Sequence, residues 1–497
     1  MQAKPANPIA AYSDRRAITL LFLGFAAGLP YLLIFSTLSL WLNEAGIARK
    51  TVTLFSWAAL GYSFKFVWSP LIDSLALPHL TRILGKRRAW LILAQGLIVF
   101  AIFLMGSVNP QISGSLNTMA AAAVLLGFAS ATQDVVIDAY RIEIAPNDSA
   151  MQTIMSSTYT VGYRLGLILA GGGSLWLAAQ LGSTQSHYLY EAWRNTYWIM
   201  SAFMLIGVAT TLMMREPNAY QEKNPQNQSP KNQLILLMMF VILVATFIAG
   251  YRVSATWLPE NAWGETGKLL IGLGGAIALA WLLINSKIVP HHLVYHTWVE
   301  PIADFFKRYG KQAILLLALI GLYRISDIVA GVIANVFYAD LGYSKEQIAL
   351  AVKTFGIVMG ILGGLIGGIL AQKFPVMKMM MLGAIAASAT NLLFMFMAMG
   401  NNSVAFLYFA VGLDNIASGL ATAVFIVFLS SLTNIQFTAV QYALLSSLMT
   451  LSPKILGGYS GAMVDKMGYP NFFTFTALMG VPILVLIYWV DKRIFRK

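Results

Sequence analysis

The sequence predicts an all-α membrane protein of fourteen transmembrane helices, arranged as two six-helix halves with a two-helix insert between them. The chain has 497 residues, a mean hydropathy of +0.70 and only 11% charged residues, whereas about a quarter of the residues of a soluble domain are charged. Apolar stretches of about 20 residues, the length that crosses a bilayer, recur along the whole chain. One long polar stretch, REPNAYQEKNPQNQSPKNQ at 215–233, ends the first group of six.

These stretches divide the chain into two halves, 16–216 and 312–490, with cytoplasmic tails at 1–15 and 491–497. The linker, 217–311, contains a two-helix hairpin at about 234–288, which we expect to be peripheral. The individual spans are predicted near 16–41, 51–72, 88–107, 118–140, 153–181 and 193–214 in the first half, 234–254 and 268–288 in the linker, and 312–338, 346–371, 376–399, 404–430, 438–463 and 470–490 in the second half.

The basic residues predict the orientation of the chain. With the N-terminus inside, 21 of the 33 basic residues fall in cytoplasmic segments, 7 on the outer side and 5 within spans. Because lysine and arginine accumulate in cytoplasmic loops, we expect both termini in the cytoplasm, and the net charge of +13 needs no nucleic-acid partner.

Enzyme chemistry finds little support in the sequence. Cysteine is absent, which excludes disulfides and cysteine-based metal sites. The tract HHLVYH, with His291, His292 and His296, is interpreted as a solvated loop rather than a metal site. No P-loop, nucleophile elbow or dinucleotide fingerprint occurs. We therefore predict no catalytic residue, no metal and no cofactor.

Nine charged residues fall at membrane depth, where a charge costs several kcal/mol unless it meets a partner or a wet cavity. In the fourth span, ATQDVVIDAYRIEI places Asp134 and Asp138 four residues apart, on one helix face. Two carboxylates this close in a low dielectric do not both ionise freely, which suits the binding and release of a proton. The alternative is that Arg141 and Arg164 simply neutralise them.

The second half carries a similar set of charges. Arg324 and Asp327 are three residues apart and are expected to pair, and Asp414 lies in a later span. The candidate proton-coupling residues are Asp134, Asp138, Asp327 and Asp414. The excess of cations suits an anionic or zwitterionic ligand, and aromatic faces suit sugar rings. The candidate substrate-binding residues are Gln133, Lys65, Tyr163, Arg164, Tyr323, Arg324, Lys353, Asn415, Gln441 and Lys454.

Eight distinctive stretches are spread over both halves and the linker: GFAAGLPYLL from Gly24, FKFVWSPLID from Phe64, ASATQDVVIDAY from Ala129, GYRLG from Gly162, EPIADFF from Glu300, LYRISD from Leu322, VKTFG from Val352 and AVQYALLSSL from Ala439. Together they resemble the AmpG-type muropeptide permeases of the major facilitator superfamily. The resemblance implies gating roles for Asp73, Arg87, Arg88 and Arg141. In this chain, however, the twelve residues SLALPHLTRILG separate Asp73 from the basic cluster that follows it closely in the superfamily.

The resemblance also implies a function. Such permeases use the proton gradient to import GlcNAc-1,6-anhydro-MurNAc, with or without its peptide, across the inner membrane of Gram-negative bacteria for peptidoglycan recycling, a flux linked to β-lactamase induction. The expected partners are this substrate, protons and the lipid bilayer, and the expected state is a monomer. Acetyl-CoA transporters share a similar TQD-type stretch. A carrier of acetyl-CoA or another anion, a drug or metabolite exporter, and a membrane sensor without transport therefore remain alternatives.

Overall fold

The computed structural model describes residues 10–47, 62, 64–146, 148–184, 187–217, 229–259, 262–401, 403–457 and 459–495. The side chains of two candidate residues, Lys353 and Lys454, lie outside this description. The described chain is helical almost throughout, and its one β-bridge joins Thr184 to His187 in a loop. The predicted all-α class is confirmed.

The described residues of the first half form nine α-helices. They are α1 (Arg15–Ile34), α2 (Ser36–Glu44), α3 (Ser69–Ser74), α4 (Leu80–Leu84), α5 (Lys86–Gly106), α6 (Ser115–Glu143), α7 (Ser149–Ile168), α8 (Ser174–Gln180) and α9 (Tyr190–Met213). A 3₁₀ turn, Lys65–Val67, precedes α3, and a π-helical turn, Leu169–Gly173, joins α7 to α8.

The linker begins with a hairpin of α10 (Pro230–Ser254) and α11 (Ala262–Asn285), which pack against each other. Of the residues of α10, only Leu236, Met239 and Ser254 are buried, so most of this helix faces outward. Two short helices follow, α12 (His291–Val294) and α13 (Glu300–Tyr309), joined by the π-helical turn Tyr295–Val299.

In the second half, too, nine α-helices lie within the part of the chain that the structure describes. They are α14 (Gln312–Leu322), α15 (Ile325–Asp340), α16 (Lys345–Ile348), α17 (Gly356–Lys373), α18 (Val376–Ala398), α19 (Val404–Leu432), α20 (Thr438–Gly457), α21 (Ser460–Leu478) and α22 (Gly480–Val490). The π-helical segment Ala349–Phe355 leads into α17. Gly468, with φ of 76°, interrupts α21 and separates two spans.

Twelve stretches of the described chain are long and apolar enough to cross a membrane. They correspond to twelve of the fourteen predicted spans. The predicted span 438–463 is helical as α20, and the predicted span 51–72 lies largely outside the described residues. Three predicted spans are broken in the structure: 16–41 at Phe35, between α1 and α2; 312–338 at Tyr323 and Arg324, between α14 and α15; and 470–490 at Met479, between α21 and α22.

Side chains of the loop residues cap several long helices. Asp14 accepts a hydrogen bond from the Arg16 N–H at the start of α1, and Asp148 does the same for the Met151 N–H at the start of α7. Such caps satisfy backbone donors that have no partner within the helix. Hydrogen bonding to Arg16 holds the pKa of Asp14 below its usual value, although burial opposes this.

Glycines bring helices into backbone contact at two places. Gly24 and Gly28 of α1 face Gly162 and Gly166 of α7, and a Cβ built at any of these four would overlap backbone of the other helix. In the second half, Gly363 of α17 packs in the same way on the backbone of α19. Small residues are the usual means by which membrane helices approach closely.

Hydrogen bonds between the two halves concentrate at one end of the bundle, which is identified by two contacts within the first half. Arg15 of α1 donates to the Met213 carbonyl of α9, and Arg87 of α5 donates to Glu143 of α6. The beginnings of α1 and α5 and the ends of α6 and α9 therefore lie together, at what we call the terminal end. The orientation predicted above makes it the cytoplasmic end. There the Ser157 hydroxyl donates to the Gly364 carbonyl at 2.9 Å, and the Tyr12 hydroxyl donates to the Leu365 carbonyl at 3.3 Å. These bonds close the terminal end.

Candidate substrate and proton site

The acidic pair of α6 lies beside two cations. Lys65, on the 3₁₀ turn before α3, places its Nζ 3.9 Å from Asp138 Oδ2. The Arg141 guanidinium lies 3.4 Å from the other Asp138 oxygen. In contrast, Asp134 Oδ1 is buried and has no hydrogen-bond partner in the described part of the chain. The two carboxylates thus differ in their contacts: Asp138 forms salt bridges with two cations, whereas among the described residues Asp134 forms none and interacts with Lys65 only at longer range.

Arg141 also connects this pair to the second half. Its side chain is fully buried, and it donates to the Ser430 hydroxyl at the end of α19 at 2.8 Å. It lies over the ring of Tyr442 in α20, with its Cζ 5.2 Å from the ring centroid. The predicted gating role of Arg141 remains a prediction, and the contact with Ser430 favours it.

A group of tyrosines lies beside Asp134. The rings of Tyr31 and Tyr62 meet edge to face at 5.7 Å, and the Tyr62 hydroxyl donates to Ser130 at 2.6 Å. Tyr159 and Tyr163 both interact electrostatically with Asp134. Tyr163 was among the predicted substrate residues. Neighbouring rings that join polar tips to apolar faces can contact a sugar.

The second half holds a separate acidic cluster. Arg324, at the break between α14 and α15, pairs with Asp327 as expected, and it also donates to Thr422 at 2.5 Å and Ser418 at 3.1 Å. Asp414 accepts a hydrogen bond from Thr390 at 2.8 Å.

A cavity of about 40 Å³, lined among others by Asp327, Asn391 and Asp414, lies between α15, α18, α19 and α21. This is room for a few water molecules. Both candidate acids of the second half therefore border one small cavity within that half.

Arg164 does not neutralise the α6 carboxylates, as one alternative required. Its guanidinium crosses from α7 to the second half, where it donates to the Ile357 carbonyl at 3.3 Å. It occupies the space above Gly360, where a Cβ would overlap it. That alternative holds only for Arg141, because Lys65 and Arg141, rather than Arg164, reach Asp138.

The predicted gating residues meet at the terminal end despite the twelve intervening residues. Arg87 pairs with Asp73 at 2.7 Å and with Glu143 at 2.6 Å. Arg88 donates to the carbonyls of Thr211 and Leu212 at the end of α9.

Asp73 also accepts a hydrogen bond from the Val440 N–H in the second half, at 3.1 Å. The insertion leaves the ion pair intact because α4 folds back and returns the chain to the start of α5.

Other predicted residues have local structural partners. Gln133 donates to the Ala26 carbonyl at 3.2 Å, and this carbonyl lacks its helical donor because Pro30 has no N–H. The Tyr323 hydroxyl donates to the Met380 carbonyl, and its ring stacks on Phe425.

Asn415 and Gln441 are also held locally. Asn415 bonds within its own helix, to Val411. Gln441 lies at the terminal end, where it contacts Asp304 and Arg308 of α13. Their assignments as substrate residues remain predictions.

Three contributors could not be found by inspecting intramembrane charges. Glu143 completes the Asp73–Arg87 network, and Glu216 accepts hydrogen bonds from the Arg87 and Arg88 N–H groups at the start of α5. Thr390 is the hydrogen-bond donor to Asp414. In the sequence, the two glutamates could have been recognised by their position at the ends of predicted spans, close to basic residues.

A family model described as Major Facilitator Superfamily matches residues 20–323 and 315–494. The chain belongs to the major facilitator superfamily. The solved structures show the same fold: the superfamily's proton:xylose symporter XylE, bound to 6-bromo-6-deoxy-D-glucose, superposes with a TM-score of 0.60 at 13% identity, covering 97% of this chain and 96% of the symporter.

Curated superfamily members confirm the resemblance to the AmpG-type permeases. A protein of Rickettsia felis whose name assigns it to the AmpG transporters, AmpG 4, is 29% identical over 97% of this chain and 98% of its own length. The anhydromuropeptide permease of Escherichia coli K12 is also 29% identical, over 96% of this chain and 80% of its own length. The similarity therefore extends through both halves and the linker.

Proposed function

We propose that this protein is a proton-coupled importer of anhydromuropeptides, GlcNAc-1,6-anhydro-MurNAc with or without its peptide. Import from periplasm to cytoplasm, across the inner membrane of a Gram-negative bacterium, would serve peptidoglycan recycling and β-lactamase induction. The nearly full-length similarity to the Escherichia coli permease supports the substrate. The buried Asp134–Asp138 pair with its two cations is the observation that supports the coupling.

The closed terminal end fits the first stage of import. In alternating access, the two halves rock around a central site so that only one end is open at a time. With Ser157 and Tyr12 bonded to α17, the substrate would enter from the opposite, periplasmic end. Entry between the halves would bring its sugar rings toward the tyrosines around Tyr163 and Tyr31.

Proton binding would release the terminal end. Asp138 holds Arg141, and Arg141 bonds to Ser430 of the second half. A proton that enters at Asp134 and passes to Asp138 removes the charge that positions Arg141. The bond between Arg141 and Ser430 then weakens, and the terminal end opens toward the cytoplasm. No cofactor is needed, since the proton gradient supplies the energy.

The test is uptake by the purified protein in proteoliposomes, with an imposed proton gradient or with none. Labelled GlcNAc-1,6-anhydro-MurNAc should accumulate above its external concentration only when the gradient is directed inward. Competition with unlabelled acetyl-CoA separates the two candidate substrates. We expect excess disaccharide to abolish labelled uptake and acetyl-CoA to leave it unchanged.

Each alternative has its own outcome. Uptake of acetyl-CoA in place of the disaccharide would overturn the proposed substrate. Gradient-driven expulsion of the label would identify an exporter, and binding without accumulation would identify a sensor. Accumulation that does not depend on the proton gradient would support the proposed substrate and refute the proposed proton coupling.

A further inference from the structure

Arg164 is a cation between the two halves that forms no salt bridge with any described residue. It belongs to α7 of the first half and reaches α17 of the second. Within the described part of the chain, no carboxylate lies within 4 Å of it, and its one protein acceptor is the Ile357 carbonyl. A guanidinium has five N–H donors, so most of its hydrogen-bonding capacity is free. A cation without a salt bridge at this depth is costly unless water in a cavity or a ligand compensates it.

The two charged residues that Arg164 meets across the interface, Arg324 and Asp327, are paired with each other. Across the interface, Arg164 is repelled by Arg324 and attracted by Asp327. Since Arg324 and Asp327 form an ion pair with each other, their charges cancel. Of these three groups, Arg164 is therefore the one without an ion-pair partner, and it lies where the two halves meet.

Gly360 is the residue that makes room for this cation. A Cβ at Gly360 would overlap Arg164 Nη1 and crowd the rest of the guanidinium. One turn further along α17, a Cβ at Gly364 would meet nothing closer than 3.9 Å. The space for Arg164 is thus specific to one glycine of α17 and does not follow from the glycine content of the helix in general.

We propose that Arg164 and Gly360 form a subsite for one carboxylate of the transported ligand, bordered by Arg324. A carboxylate fits because its two oxygens accept the parallel N–H groups of a guanidinium. Its negative charge complements the one guanidinium of this group that has no ion-pair partner. This inference rests on the proposed function, and it specifies the lactyl carboxylate of the anhydro-MurNAc unit as the recognised group in the peptide-free disaccharide.

Occupation of the subsite would join the two halves. The carboxylate would bridge Arg164 of the first half and Arg324 of the second, and it would compete with Asp327 for Arg324. Ligand binding would thereby change an ion pair within the second half and bring the halves together around the substrate. The subsite thus provides both recognition of the acid and a signal for closure.

The test is equilibrium binding of GlcNAc-1,6-anhydro-MurNAc and of its methyl ester to the purified full-length protein. The wild-type protein should bind the acid about tenfold to a hundredfold more tightly than the ester, the range expected for hydrogen bonds to a charged group. Arg164→Gln should bind both forms with the affinity that the wild type has for the ester. Arg164→Lys should retain part of the preference, because lysine keeps the charge without the planar fork.

Gly360→Ala supplies an independent test, since it keeps Arg164 but fills its space. It should lose the preference for the acid, and the matched control Gly364→Ala should keep it. If Arg164→Gln or Gly360→Ala still discriminates acid from ester as the wild type does, the subsite is wrong while the proposed function stands.

If the wild type binds neither form, the proposed function fails, and the subsite is judged with a second probe. N-acetylmuramic acid, which carries the same carboxylate, is then titrated during thermal unfolding. A rise in the unfolding temperature in the wild type and none in Arg164→Gln would support the subsite. An equal response in the two proteins, or no response in either, would overturn it.

Discussion

At the scale of single residues, Asp134 and Asp138 differ in their partners although they share one helix face. Asp138 meets Lys65 and Arg141, whereas Asp134 Oδ1 has no donor among the described residues. Such an asymmetry suits two successive roles, with one acid receiving the proton and the other controlling the cation network. The functional roles of both remain predictions, and their positions make separate tests possible.

We expect Asp134→Asn to abolish gradient-driven accumulation of the disaccharide. Asparagine is close in shape to the acid but cannot bind and release a proton, so binding should persist without coupling. The measurement is proteoliposome uptake together with exchange of label at equal concentrations on both sides. Asp465→Asn, at an exposed position of α21, is the control that should accumulate normally. Wild-type accumulation by Asp134→Asn would refute the assignment.

Gln133 permits a prediction about stability. Its amide bonds to the carbonyl of Ala26, whose helical donor is missing because of Pro30. Gln133→Leu should therefore cost about 1–3 kcal/mol, the usual effect of leaving a buried polar group unpaired.

Restoring the N–H with Pro30→Ala should make Gln133→Leu less costly in the double variant. Thermal unfolding of the two single variants and the double variant in detergent measures the coupling. Additive effects would show that the Ala26 carbonyl does not connect the two residues.

At the scale of helices, the packing of α1 on α7 depends on the absence of side chains. A Cβ at Gly162 would overlap the Leu21 carbonyl of α1. Gly162→Ala should separate these helices and destabilise the protein by about 1–3 kcal/mol, the typical effect of overpacking. Gly172→Ala, in the same span with open space around it, is the matched control. Similar unfolding temperatures for the two variants would contradict this account.

The short helix α13 attaches the linker to the second half through Asp304. This carboxylate accepts hydrogen bonds from Gln441 at 2.8 Å, Asn434 at 3.1 Å and Arg308 at 2.9 Å. Burial alone would raise the pKa of Asp304, but these bonds and the Arg308 charge hold it below its usual value of 3.8. The attachment is therefore fully present above that value and is lost as the pH falls through the lower pKa of the folded protein.

Asp304→Asn should loosen this attachment at neutral pH. We expect faster hydrogen exchange over 300–309 and 433–441 in this variant. In the wild type, exchange over the same segments should rise only when the pH falls below 3.8, the usual pKa of an aspartate. The control is Asp340→Asn, which removes a carboxylate at the C-terminal end of α15, where Tyr469 donates to it. This variant should leave exchange in both segments unchanged. Unchanged exchange in Asp304→Asn would show that the remaining bonds suffice.

At the scale of the whole molecule, closure of the terminal end requires α7 and α17 to stay together. The chain contains no cysteine, so two introduced cysteines can form a disulfide within the chain only with each other. A Cβ at Gly368 would lie 2.9 Å from Ser157 Cβ, so a shift of about 1 Å would give the separation of about 3.8 Å found in disulfides. Oxidised Ser157→Cys/Gly368→Cys should not transport, because its halves cannot part, and reduction should restore uptake.

A second cysteine pair provides the control. A Cβ at Gly480 would lie 2.6 Å from Ser388 Cβ, and both residues belong to the second half. Oxidised Ser388→Cys/Gly480→Cys should transport like its reduced form, since the halves move as units. Transport by the oxidised Ser157–Gly368 variant at its reduced rate would show that the terminal end need not open.

The sequence by itself determined the class of the protein, the positions of nearly all spans and the presence of charges at membrane depth. Hydropathy and the cost of buried charge are local properties of the chain, so they can be read without knowing its neighbours. The close spacing of Arg324 and Asp327 likewise predicted their pairing correctly.

Only the tertiary structure decided which distant residues meet. It brought Asp73 to Arg87 across a twelve-residue insertion and Lys65 to Asp138, and it turned Arg164 away from the α6 acids toward Gly360. Such contacts depend on the rotation of each helix about its axis and on where small residues allow close approach. Both properties are set by packing between helices, which the composition of any single span does not contain.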